Sequence, residues 1–104
     1  MPQFIYRLQP VRPGMLSDGP TPDEERIVGE HFAYLQDLAT RGTLKLAGRT
    51  LTTGPETFGI CILETEDEAG ARAVMAEDPA VRQGVMTAEL LPFRIALWGG
   101  APAD

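Results

Sequence analysis

The run Phe58-Gly59-Ile60-Cys61-Ile62-Leu63 is the most apolar stretch of the chain, and it restricts the possible folds more than any other. A strand with one wet face alternates apolar and polar residues, whereas a run that is apolar at both parities is covered on both faces. The fold must therefore supply a layer on each side of this segment.

The remaining elements follow from period and punctuation. Residues 3–9 alternate, with Phe4, Tyr6 and Leu8 on one side and Ile5, Arg7 and Gln9 on the other, as in a strand of period two. Pro10 ends it. Residues 10–22 hold four prolines and two glycines and read as a surface loop without a regular element. Thr21 then has the character of an N-cap, with Pro22 at the first helical position and Asp23, Glu24 and Glu25 in the first turn, facing the positive end of the helix dipole. Ile27, Val28, Phe32, Leu35, Leu38 and Ala39 recur at helical spacing and Gly42 is a stop signal, so the expected helix is 22–41. Residues 44–52 read as a strand, 53–56 as a turn and 67–77 as a second helix. A short turn follows at 79–84, and 85–98 reads as a last strand with a possible bend at Pro92.

The order strand, helix, strand, strand, helix, strand is that of an α+β, ferredoxin-like βαββαβ fold, with a four-stranded antiparallel sheet and two helices on one face. Two helices cover one side of such a sheet. The second parity of 58–63, together with Leu90, Leu91, Ile95, Leu97 and Trp98, leaves an apolar surface on the other side. A second copy packed sheet to sheet, as a two-fold homodimer, would cover it.

Bulk properties narrow the function. A chain of 104 residues makes one domain, 1–104, able to bury roughly 65% of its unfolded surface, with 99–104 expected as a flexible tail. Its formal charge of −6, with no basic cluster, would repel a nucleic acid. No window approaches the ~20 apolar residues of a membrane span, and no leader pattern opens the chain. One cysteine excludes an internal disulfide and fits a reducing cytoplasm. With one cysteine and one histidine, four-ligand structural zinc is out of reach, and no glycine-rich phosphate loop is present, so neither a metal nor a cofactor is expected.

Candidate chemistry centres on His31, the only histidine, which lies four residues after Ile27 and four before Leu35, at the buried edge of the first helix. It reads either as a half-buried helix residue with a satisfied ring or as a proton carrier. Asp78 precedes Pro79, the pattern of an N-cap on the turn that follows. It also stands at the negative end of the second helix, where a nearby donor would be welcome, and side-by-side helices would let His31 be that donor. The two roles are compatible because a carboxylate has two oxygens. Arg7 and Arg49 lie on strands, where a guanidinium could hold an anionic substrate in a forked contact or could form surface salt bridges. Tyr6 and Tyr34 could donate to a ligand but read first as core residues with satisfied hydroxyls, Cys61 as a small apolar filler, and the acids of 64–68 as a solvated helix start.

The order of several short motifs adds a resemblance. A histidine-bearing helix is followed by Gly42, Leu44-Lys45-Leu46-Ala47-Gly48, Gly54-Pro55, an apolar strand running into Glu64-Thr65-Glu66-Asp67-Glu68-Ala69, then Ala76-Glu77-Asp78-Pro79 and Gly84. Over about residues 3 to 97 this resembles the YCII-related (YciI-like) family. The resemblance implies a dimeric α/β barrel of ferredoxin-like protomers and an active site built on a His and Asp pair, here His31 and Asp78. Arg49 stands where members often carry proline after Ala-Gly. The expectation is a small-metabolite enzyme of lyase or hydrolase type using that pair for acid/base chemistry on a small, anionic molecule. The alternative is a non-catalytic ligand-binding or dimerisation module.

Overall fold

A computed structural model describes residues 1–100 of the protein. Eight elements follow in order: β1 (Gln3–Pro10), α1 (Gly14–Ser17), α2 (Pro22–Thr40), β2 (Leu44–Arg49), β3 (Gly59–Glu64), α3 (Glu68–Glu77), α4 (Pro79–Arg82) and β4 (Met86–Phe93). The four strands form one antiparallel sheet in the order β2-β3-β1-β4, the ferredoxin-like arrangement, with β1 and the apolar β3 in the middle. The sheet is open, with β2 and β4 at its edges.

Register decides which residues meet the helices. Tyr6 lies opposite Cys61 and Leu90, and Phe4 opposite Leu63 and Pro92, so the even residues of β1 share a face with Cys61 and Leu63 of β3. That face packs on Leu35 and Leu38 of α2 and Ala71 of α3 to make the core. Tyr6, Leu63 and Ala71 have no exposed surface at all. The opposite face carries Ile5, Ile60, Ile62, Leu46, Leu91 and Phe93 by the same register, with Leu46 half exposed and Leu91 and Phe93 also open to solvent.

The long helix starts as its sequence directs. Thr21 accepts from the Glu24 amide at 3.1 Å while the Glu24 carboxylate accepts from the Thr21 amide at 2.9 Å, a complete capping box ahead of Pro22. It ends at Gly42, whose φ of 82° suits glycine and lets two amides turn back onto the last carbonyls. Asp67 caps α3 through the Gly70 amide at 2.8 Å, so this helix begins one residue later than expected.

Several boundaries depart from the sequence reading. Residues 10–22 are not wholly irregular. One helical turn, α1, closes on an Asp18 amide to Gly14 carbonyl bond of 2.8 Å and drives Met15 into the interior at 4% exposure. The second strand stops at Arg49, because Thr50 and Phe58 exchange bonds across the turn and the Thr50, Thr52 and Thr57 hydroxyls link at 2.8 and 2.7 Å. The last strand ends at Phe93 and runs through Pro92, which is tolerated because β4 is an edge strand. Phe32, counted among the core positions of α2, is 62% exposed. Of the expected tail 99–104, residues 101–104 lie outside the described residues. No described helix is long and apolar enough to cross a membrane.

Candidate active site

Asp78 is the hinge between α3 and α4, with extended backbone angles (φ −60°, ψ 123°) imposed by the proline that follows. That conformation ends one helix, starts the next and turns the carboxylate inward, where it has no exposed surface. A buried carboxylate needs its lone pairs filled, and here three donors converge on it. The Ala80 amide donates to Oδ1 at 2.9 Å, the Tyr6 hydroxyl donates to Oδ2 at 2.8 Å, and His31 Nδ1 lies 2.7 Å from Oδ1.

The network fixes the histidine tautomer. Oδ1 and Oδ2 already accept from an amide and a phenol, which marks the carboxylate as an acceptor, so Nδ1 carries the proton and donates it. Nε2 is left as the free lone pair, and it makes no hydrogen bond among the described residues. The His31 side chain is 12% exposed, on the wall of a cleft of about 780 Å³. Burial first, then the neighbouring Cys61 and Asp78, push the Tyr6 phenol far above its ordinary value, so it remains a proton donor to Asp78 throughout the working pH range.

The cleft opens between α2, the 11–21 segment and the exposed strand β2. Its walls are mostly apolar and include Met15, Val28, Phe32, Leu35, Phe58 and Met86. Lys45 and Arg49 supply positive charge, with Lys45 held 3.3 Å from Glu64. Arg49 makes neither an ion pair nor a side-chain hydrogen bond among the described residues. Cys61 forms part of the floor at 1% exposure, and burial pushes its thiol up to about 12, which leaves it a poor nucleophile. Tyr34 spends its hydroxyl on the Val74 carbonyl at 2.7 Å. Among the described residues, no three His, Cys, Asp or Glu side chains gather closely enough to hold a metal ion.

The residues expected from the sequence are thus divided. His31 and Asp78 are direct neighbours, and Arg49 shares the cleft with His31. Arg7 stands across the sheet, on the open face with Ile5, its guanidinium 4.9 Å from the centre of the Phe58 ring. Two details differ from expectation. The amide and the imidazole share Oδ1, and the second oxygen is taken by Tyr6, read from the sequence as a core residue with a satisfied hydroxyl but not as a partner of Asp78. The one signal that could have picked out Tyr6 is a phenol on the inward parity of β1, where a hydroxyl must find a buried acceptor. Phe32 at the cleft rim was hidden for the opposite reason, since its helical spacing suggested packing.

Comparison with known proteins bears on this arrangement. No curated protein matches the chain. Among solved structures, it is similar to 5-chloro-2-hydroxyhydroquinone dehydrochlorinase from Burkholderia phenoliruptrix AC1100, in complex with 2,5-dihydroxybenzoquinone. The TM-score is 0.63 with 20% identity, over 88% of this chain and 93% of that one, a likeness of fold. The model of the YCII-related domain matches residues 4–94, which take in every strand and helix above except the first residue of β1. The chain belongs to the YCII-related domain family.

Proposed function

We propose that the protein is a small-molecule enzyme of lyase or hydrolase type, with His31 as its acid/base group. The observation that carries this reading is the 2.7 Å bond from His31 Nδ1 to a carboxylate with no exposed surface. Nε2 takes a proton from the substrate or from water, the imidazolium so formed is stabilised by Asp78, and the proton returns to the departing group. Asp78 holds the tautomer and the ring angle. Arg49 is the group we assign to an anionic substituent of the substrate, by a forked contact. Arg7 does not itself line this cleft within one protomer and meets it only through the Phe58 ring. A volume of about 780 Å³ suits a small organic molecule. The structural neighbour supports the same general class, since it is a dehydrochlorinase and holds a small hydroxylated quinone.

We further propose that two copies pair through the open sheet face, where Ile5, Leu46, Ile60, Leu91 and Phe93 lie together. A reducing, cytoplasmic setting is our placement for a chain whose single cysteine is free and buried.

The test is turnover by the native protein on a panel of small organic acids, lactones and halogenated hydroxyquinones. His31→Ala and Asp78→Asn are then compared on any compound that reacts. The expected result is a fall in kcat of about 10²–10⁴-fold in His31→Ala with a smaller change in KM. Asp78→Asn falls in the same direction, and Arg49→Gln raises KM. Equal turnover by native protein and His31→Ala would remove the histidine from the mechanism. The apolar lining of the cleft favours one second reading, a non-catalytic binding module. Compounds that raise the melting temperature of native protein and both variants alike, with none turned over, would establish it.

A further inference from the structure

We infer that Tyr6 is a positioning residue for His31, acting through Asp78. This deepens the proposed acid/base role and rests on it. Asp78 Oδ1 serves two donors, the Ala80 amide at 2.9 Å and His31 Nδ1 at 2.7 Å. The amide is fixed by the α4 backbone, but one amide constrains one oxygen and leaves rotation of the carboxylate about that contact. The Tyr6 hydroxyl, at 2.8 Å from Oδ2, closes that freedom. Its ring cannot follow a swing of the acid, because it lies on the central strand β1, in register with Cys61 and Leu90 and with no exposed surface. The carboxylate is therefore held at both oxygens by two rigid elements, and only one direction remains open, towards the α2 imidazole. The phenol also withdraws charge from Oδ2, which sets how strongly the carboxylate attracts a proton on His31. The other titratable side chains that sense Asp78 are Cys61 on β3 and Tyr34 on α2, and Tyr34 donates to a backbone carbonyl instead.

The chain's single histidine permits a test without any substrate, so this inference can fail while the enzymatic proposal stands, and the reverse. The imidazole proton and nitrogen resonances of the full-length protein are followed by NMR against pH. In Tyr6→Phe, loss of the donor concentrates charge on the carboxylate. The titration midpoint of the ring is expected to move to higher pH by half a unit or more, about a threefold change in proton affinity. Tyr34→Phe, which removes a half-buried hydroxyl that bonds a backbone carbonyl and not the acid, is expected to leave the midpoint where it is. A Tyr34→Phe protein labelled with 3-fluorotyrosine carries the label at Tyr6 alone, and its more acidic phenol is expected to move the midpoint to lower pH. This labelled protein keeps the test open should Tyr6→Phe fail to fold. Coincident titration curves in native and Tyr6-altered proteins, or equal shifts in the Tyr34→Phe control, would overturn the inference.

Discussion

A single buried carboxylate ties this site together, because the same two oxygens cap a helix, meet an imidazole and accept from a phenol. Asp78 caps α4, ends α3 and orients His31, so its removal strands three donors at once. Asp78→Ala should therefore lower the unfolding free energy by about 3–5 kcal/mol, the range for breaking a buried hydrogen-bonded pair. Asp78→Asn should cost distinctly less. Its amide oxygen can still accept from Ala80 and His31, while its nitrogen meets a tyrosine hydroxyl able to accept in turn. Urea denaturation of the two variants beside native protein measures the difference. Equal losses would mean that the three donors find other partners when the acid is gone. Because Asp78→Asn keeps the cap, it is the variant suited to kinetic work.

At the level of elements, the 11–21 segment and the start of α2 form one unit. Arg12 donates from Nε and Nη2 to both Glu24 oxygens, at 2.8 and 2.7 Å, and from Nη2 to the Gly19 carbonyl at 3.0 Å. Glu24 is also the capping-box acid, so one side chain starts the helix and pins the segment that walls the cleft. Its bond to Arg12, then the Thr21 amide, hold its carboxyl down at about 2, against an ordinary 4.5. A carboxyl held low in the folded state adds stability above its ordinary value and loses it as pH falls towards the lowered one. The melting temperature of Arg12→Ala should thus lie below that of native protein at neutral pH, and the gap should close between about pH 4.5 and 2. A gap that persists at pH 2 would place the effect of Arg12 in packing. Thr21→Ala, which deletes the other half of the box, should cost about 1 kcal/mol.

For the molecule as a whole, the sheet is the source of asymmetry. Its helix face is filled by the core, while its open face presents Leu46, Leu91 and Phe93 to solvent in a single protomer, beside Ile5 and Ile60. Two such faces brought together would remove this surface from water, at about 25 cal/mol for each Å² of apolar area. Light scattering is expected to give the mass of two chains for native protein and of one chain for Leu91→Glu, which sets a charge on the open face opposite Ile5. A native protein of single-chain mass at micromolar concentration would remove the sheet-face dimer and leave the cleft and its His31–Asp78 pair unaffected.

The sequence by itself determined the four strands and the two longer helices, their order and much of their ends, but not the short helix at Gly14–Ser17. Period two put Phe4, Tyr6 and Leu8 on one side of β1, which the structure buries, and Thr21, Pro22 and Gly42 marked both ends of α2. Asp78-Pro79 announced its cap. These signals are legible because caps, turns and periodicity depend on neighbours a few positions away. It also raised the pairing of His31 with Asp78, through helix topology and a family resemblance. Only the tertiary structure decided that the imidazole and the Ala80 amide share one oxygen while Tyr6, 72 positions from Asp78, takes the other. The same holds for Arg49, which faces the cleft while Arg7 stands behind the sheet, and for Phe32, left at the rim instead of in the core. The physical reason is that a side chain's partner is set by the register and packing of whole elements, which fix distances that no local pattern records.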